Sequence, residues 1–180
     1  GSRVEPFGNG LINETFLVST AAAGNFILQG LNPVFDPQIN LDIDLLTRHL
    51  AAKGIKTQRL QQTVDGRLWV TAAGRAWRMA TFVTGACFDM LTSELQAEAA
   101  GGLLASFHRE VSDLNIELHG ARLGVHDTAR HLANLRAALE QHSGHRNFAA
   151  INTLAQEVLA QAAELPVLPA LPDRLVHGDP

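Results

Sequence analysis

The chain has 180 residues, 14 basic and 18 acidic side chains for a formal charge of −4, and 46% hydrophobic residues. This balance excludes extended disorder and fits either one medium domain or two small lobes. Only Lys53 and Lys56 are lysines and no dense basic run occurs, so nucleic acid is not the expected partner, while the single Cys87 excludes an intramolecular disulfide framework and a multi-cysteine zinc site.

A reducing, cytoplasmic setting is the expectation from that cysteine usage. The longest apolar stretches fall short of the ~20 residues of a membrane span, so no membrane partner is expected either. Gly1-Ser2 reads as the remnant of a cleaved tag. Val4 to Phe7, Leu11 to Val18 and Asn25 to Leu31 then read as β-strands, the last two joined by the small residues of Ser19 to Gly24.

After Asn32-Pro33 the period changes. Ile39, Ile43, Leu46 and Leu50 recur at spacings of four, three and four, which predicts one amphipathic helix with Gly54 as its stop. Asp65-Gly66 and Ala73-Gly74 flank Leu68 to Thr71, and Ala76 to Val83 forms another β run, so a second hairpin is expected and the first half reads β-β-β-α-β-β. From Ser93 the pattern is helical. Ser93 and Gln96 have capping-box spacing, and Leu95, Leu103, Phe107 and Val111 fall on one face of a long helix.

Two more helices are expected, one from about Asp127, whose carboxylate suits an N-cap, and one from about Asn147. Pro166, Pro169 and Pro172 end the helical pattern and lead into Asp173-Arg174-Leu175-Val176. The fold class is therefore α+β. A β-rich lobe with one helix spans 1–83, and a hinge with a helical lobe spans 84–180.

Several segments carry chemistry-bearing residues. Gly8-Asn9-Gly10, running into Asn13 and a strand, is either an ordinary hairpin turn or a cradle in which backbone N–H groups approach a phosphate without obstructing side chains. His177-Gly178-Asp179 follows an apolar approach; it is either a surface turn or a turn that holds Asp179 where it accepts a hydroxyl proton. The histidine pairs His126/His131 and His142/His145 lack the HExxH pattern of a zinc helix and suit solvated or capping roles. Trp77 and Phe88 suit a core, whereas the backbone of Thr81, Phe82 and Val83 leaves a strand at the joint between the lobes and has N–H and C=O groups to offer the edge of a base.

The order of these features is more specific than any one of them. A glycine turn between two strands, a third strand, a helix, a hairpin, a connector and then helices leading to a His-Gly-Asp turn is the order of a kinase. In GNGLINETFLV (Gly8 to Val18), FILQGLN (Phe26 to Asn32), AWRMATFV (Ala76 to Val83), VHDT (Val125 to Thr128) and LVHGDP (Leu175 to Pro180) the chain resembles the aminoglycoside phosphotransferase and choline kinase family, most of all its N-acetylhexosamine 1-kinases.

That resemblance implies a protein-kinase-like fold and an ATP-dependent phosphotransferase acting on an alcohol group, with an amino sugar as acceptor and homoserine, choline or an aminoglycoside as alternatives. A non-catalytic nucleotide-binding module is a further alternative. Gly8, Asn9, Gly10 and Asn13 would border the phosphates, Thr81, Phe82 and Val83 would face the adenine, and Asp179 would be the catalytic carboxylate. Gln29 stands where protein kinases carry a phosphate-binding lysine, and its amide has a hydrogen bond to offer instead. The family's Mg²⁺ ligands, an Asn shortly after the catalytic Asp and a later Asp, would lie beyond Pro180. On that reading the chain is cut at its catalytic turn, has little turnover alone, and exposes an inter-lobe surface through which it would self-associate.

Overall fold

Three strands open the chain, β1 (Ser2–Pro6), β2 (Glu14–Thr20) and β3 (Gly24–Gly30), each antiparallel to the next. In this computed structural model, which describes residues 1–8, 10, 12–86, 88–119, 124, 127–166, 169, 172 and 174–177, they form one edge of a six-stranded sheet. The β2–β3 link is tight because Thr20 Oγ1 donates to Gly24 O at 3.0 Å and accepts from Ala23 N at 3.0 Å, while Gly24 takes a φ of 83° that a side chain would resist.

The helix α1 (Ile39–Ala52) follows, and its chain leaves through Gly54 at a φ of 80°. Three strands complete the sheet: β4 (Leu60–Gln61), β5 (Val70–Ala72) and β6 (Arg75–Thr81). The order is β1-β2-β3-β6-β4, with β5 also paired to β6. The β5–β6 hairpin turns through Ala73 and Gly74, both at positive φ, the geometry whose twist matches a two-residue hairpin. β4 is absent from the sequence reading, because two residues are too few to display an alternation.

Ile27 and Ala80 are buried on one face of the sheet and Val18 on the other, Leu31 and Leu50 of α1 are buried as well, and each large apolar side chain so removed from water contributes about 1.5–3 kcal/mol. The helix α2 (Glu94–Glu110) starts at Ser93, whose Oγ accepts from Gln96 N at 3.3 Å. The reciprocal half of the expected capping box differs: Gln96 Oε1 accepts from Thr92 N at 2.7 Å.

The C-terminal end of α2 is tied to α1, for Lys53 Nζ donates to Glu110 O and to Asp113 Oδ1, both at 2.7 Å. Val111 is buried at that end, whereas Leu95 and Leu103 are exposed, so the apolar face expected along the whole helix is covered only at its last turns.

The chain divides into two compact units, residues 1–121 with 174–180, and residues 122–173. In the second, α3 (Thr128–Gln141) begins at Asp127, whose Oδ1 accepts from Arg130 N at 2.9 Å, as expected of an N-cap. α4 (Phe148–Ala163) follows a short turn, and Leu135, Leu139, His142, His145, Phe148 and Ile151 line an apolar cavity of about 240 Å³ where the two helices join. His145 Nδ1 accepts from Asn147 N at 3.2 Å, so this histidine shapes the turn.

Candidate nucleotide site

The glycine turn lies between β1 and β2. Phe7 N donates to Thr15 O at 2.9 Å and closes the loop, and Gly8 takes a φ of 78°. A Cβ placed on Gly8 or Gly10 would meet nothing within 4 Å among the described residues. Backbone conformation accounts for glycine at Gly8, but neither φ nor crowding requires it at Gly10. Open space over Gly10 is what close approach of a ligand's phosphate needs. Asn9 lies outside the described residues.

Asn13 has a structural tie: its Oδ1 accepts from Asn32 N at 2.9 Å, and Asn32 Nδ2 donates to Ile12 O at 3.3 Å. The end of β3 thereby holds the loop. Gly8, Gly10, Asn13 and Thr15 line a cavity of about 420 Å³.

Behind Thr15 runs a polar network on one face of the sheet. In the antiparallel registers Thr15 is opposite Gln29, and Gln29 is opposite Arg78, so all three side chains share a face. Gln29 Nε2 donates to Thr15 Oγ1 at 3.3 Å. Gln29 Oε1 accepts from Arg78 Nε at 3.0 Å and from Arg78 Nη2 at 2.9 Å, and Arg78 Nη1 donates to Asn40 Oδ1 at 3.2 Å.

Asn40, fully buried in the first turn of α1, donates its own Nδ2 to Pro37 O at 2.8 Å. Burial pulls the half-buried Arg78 guanidinium down from its ordinary pKa, yet an arginine stays charged near neutral pH. Along the chain Gln29 is marked by its place on the third strand, whereas Arg78 lies within AWRMATFV and Asn40 in α1 with no such mark, and only the β3–β6 register shows that Arg78 faces Gln29.

At the end of β6 the three expected adenine-facing residues differ in what they have free. Thr81 N donates to Arg59 O at 2.9 Å and Thr81 Oγ1 accepts from Arg59 N at 3.0 Å, so Thr81 is held in the sheet. Phe82 N donates to Asn25 O at 3.3 Å, and the Phe82 ring meets Phe7 edge-on at 5.7 Å. Val83 is the first of the three whose backbone N–H and C=O have no hydrogen-bond partner among the described residues.

Asp179 lies outside the described residues. His177 before it is described, and its N–H donates to His108 Nε2 at 3.2 Å while its ring meets Phe107 edge-on at 5.9 Å. Phe107, His177, Leu50 and Leu103 border a largely apolar cavity of about 350 Å³. On α1, Asp42 Oδ1 accepts from His119 N at 2.9 Å.

Among the described residues no group of three His, Cys, Asp or Glu side chains converges as a metal-ligating set. Among them, too, no helix is long and apolar enough to cross a membrane.

An antiparallel sheet with a glycine turn between its first strands, one helix after the third and helices beyond the sixth defines an α+β, protein-kinase-like fold. The chain belongs to the phosphotransferase enzyme family, whose sequence profile matches residues 3–180. Solved structures share the fold, among them these two. One is amicoumacin kinase hAmiN in complex with AMP-PNP, Ca²⁺ and Ami, at 14% identity and a TM-score of 0.59 over 92% of this chain and 49% of that one. The other is spectinomycin phosphotransferase APH(9)-Ia in complex with ADP and spectinomycin, at 13% identity and a TM-score of 0.51 over 92% of this chain and 54% of that one. The chain thus spans about half the length of each.

Proposed function

We propose that this chain carries the nucleotide-binding lobe, within 1–83, and the first part of the helical lobe, within 84–180, of an ATP-dependent small-molecule kinase. The acceptor in this reading is a hydroxyl of an N-acetylhexosamine, the anomeric one. The family match over residues 3–180 carries the proposal. Open glycines at the head of β2 and a free backbone edge at Val83 support it from the geometry.

In this reading Gly8, Asn9 and Gly10 give backbone N–H groups to the phosphates, Asn13 fixes their loop, and Val83 takes the adenine edge beyond Thr81 and Phe82. The acceptor oxygen forms a bond to the γ-phosphorus as the bond from that phosphorus to the ADP oxygen breaks, and Asp179 takes the hydroxyl proton. Mg²⁺ bound with the nucleotide would neutralise charge on the transferred group. The assignment of Asp179 rests on the His177-Gly178-Asp179 turn.

Phosphate transfer from ATP to N-acetylglucosamine or N-acetylgalactosamine in the intact protein tests the reading. Asp179→Asn is expected to lower kcat by about 10²–10⁴-fold, and equal turnover would remove Asp179 from its role. A second reading replaces the sugar with an antibiotic of the kind named with the two structural neighbours. Turnover of spectinomycin or amicoumacin with none of either sugar would favour it.

A further inference from the structure

Three arginines lie in the strands of the sheet, and two are neutralised. Arg3 pairs with Glu5 at 2.7 Å and Arg75 with Glu14 at 2.6 Å. Arg78 has no carboxylate within 4 Å among the described residues; its partners are the neutral oxygens of Gln29 and Asn40. A half-buried cation held only by amides is an unusual expense for a small sheet, since burial of a charge is repaid chiefly by an opposite charge.

The amides also fix where the charge points. Gln29 Oε1 takes Nε and Nη2, and Asn40 Oδ1 takes Nη1, so three of the five guanidinium N–H groups are used and one remains on each Nη. Two such donors on a planar group suit the paired oxygens of a phosphate. The network reaches the glycine loop through Gln29 and Thr15, since Thr15, which lines that cavity, is the acceptor of Gln29 Nε2.

Protein kinases set a lysine on the third strand and pair it with a glutamate of the following helix. Here the third strand carries a neutral amide, Gln29, the following helix α1 offers a second, Asn40, and the cation stands between them on the neighbouring strand. We infer that Arg78 is the residue that grips the nucleotide phosphates in this lobe, and that Gln29 and Asn40 are its positioning residues. The inference rests on the nucleotide reading above. Gln29 then acts on the phosphates through the guanidinium it orients.

Calorimetry on the 180-residue chain with ATP and with adenosine tests this. The quantity read is the ratio of the two affinities, which isolates the phosphates. Arg78→Gln is expected to lower the ratio about tenfold to a hundredfold by reducing ATP affinity, with adenosine affinity within about twofold of wild type. Arg78→Met removes the charge without adding a polar group to a half-buried site, and the same drop is expected should the glutamine variant fail to fold. The double variant Gln29→Lys/Arg78→Gln, which returns the cation to the third strand, is expected to regain at least part of the ratio.

An unchanged ratio in the single variants overturns the role of Arg78. So does a parallel loss of ATP and adenosine affinity, which marks a residue that only supports the fold. Failure of the wild-type chain to bind either ligand instead overturns the nucleotide reading, and the role of Arg78 falls with it.

Discussion

Arg75 and Arg78 are three residues apart on one strand, and the alternation of that strand sends them to opposite faces. On its face Arg75 meets the carboxylate of Glu14, beside Trp77, whose ring lies tilted against Phe16 at 6.2 Å. On the other face Arg78 meets two amides and a buried helix turn. Identical side chains are thus put to different uses: one is cancelled and helps close the sheet, while the other is kept charged and oriented. The difference teaches that a partner's formal charge, more than proximity, separates a structural arginine from one available to an anion.

The comparison can be broken first at the packing of the Arg75 face. A Cβ on Gly30 would come within 2.9 Å of Arg75 Cδ and 3.0 Å of Trp77 Cη2, so the indole lies across β3 only because position 30 is glycine. Gly30→Val is expected to cost about 1–3 kcal/mol or more through overpacking, read as a lower midpoint in urea. An unchanged midpoint would mean that Trp77 can move aside without loss.

A smaller effect should follow from the ion pair itself. Arg75→Gln and Glu14→Gln, with the double variant, should give a coupling of about 0–1 kcal/mol, as befits a pair open to solvent. Both residues also line the cavity of the glycine turn, so each change should alter the ratio of ATP to adenosine affinity, but by less than Arg78→Gln does. A loss of that ratio in Arg75→Gln as large as in Arg78→Gln would erase the contrast between the two faces.

The smallest expected effect concerns an exposed carboxylate with a cation beside it. The hydrogen bond from Lys53 holds the Asp113 carboxyl below its ordinary pKa, with lesser help from His49. A folded pKa below the unfolded one contributes stability that is present above the unfolded value near 4 and is lost as pH falls through the folded value. The Tm of wild type should therefore exceed that of Asp113→Asn slightly at about pH 6, and the gap should close as pH falls from about 4 toward 2. A gap that widens in acid would reverse the assigned sign.

Much of the local structure is legible from the residues alone. The periodicity of Ile39, Ile43, Leu46 and Leu50 marks α1, Gly54 marks its end, and Ser93 and Asp127 start α2 and α3 as side-chain caps. These are short-range effects, set by neighbours within a few positions. The glycine turn is legible for the same reason.

The site is legible only in part. Asn13 reads as a phosphate-bordering residue and lines the cavity of the glycine turn, but the tie of its Oδ1 to Asn32 N, nineteen positions along the chain, is not legible. Thr81 and Phe82 read as free backbone, yet their N–H groups are used by Arg59 and Asn25. The apolar stripe of α2 reads as buried, yet only the end held by Lys53 and His49 is covered. In each case the deciding partner is remote in sequence, and spacing along one segment carries no information about it.

The sequence by itself determined the class of fold, through hydrophobic period, turn residues and caps, and it determined the order of motifs that marks a phosphotransferase family. Tertiary structure alone decided which cation this lobe presents. Pairing of β3 with β6 sets Gln29 opposite Arg78, and packing of α1 brings Asn40 to the same guanidinium. A strand register is fixed by the whole sheet at once, because a slip of one residue would turn Arg78 to the face of Arg75 and bury the wrong side of the strand.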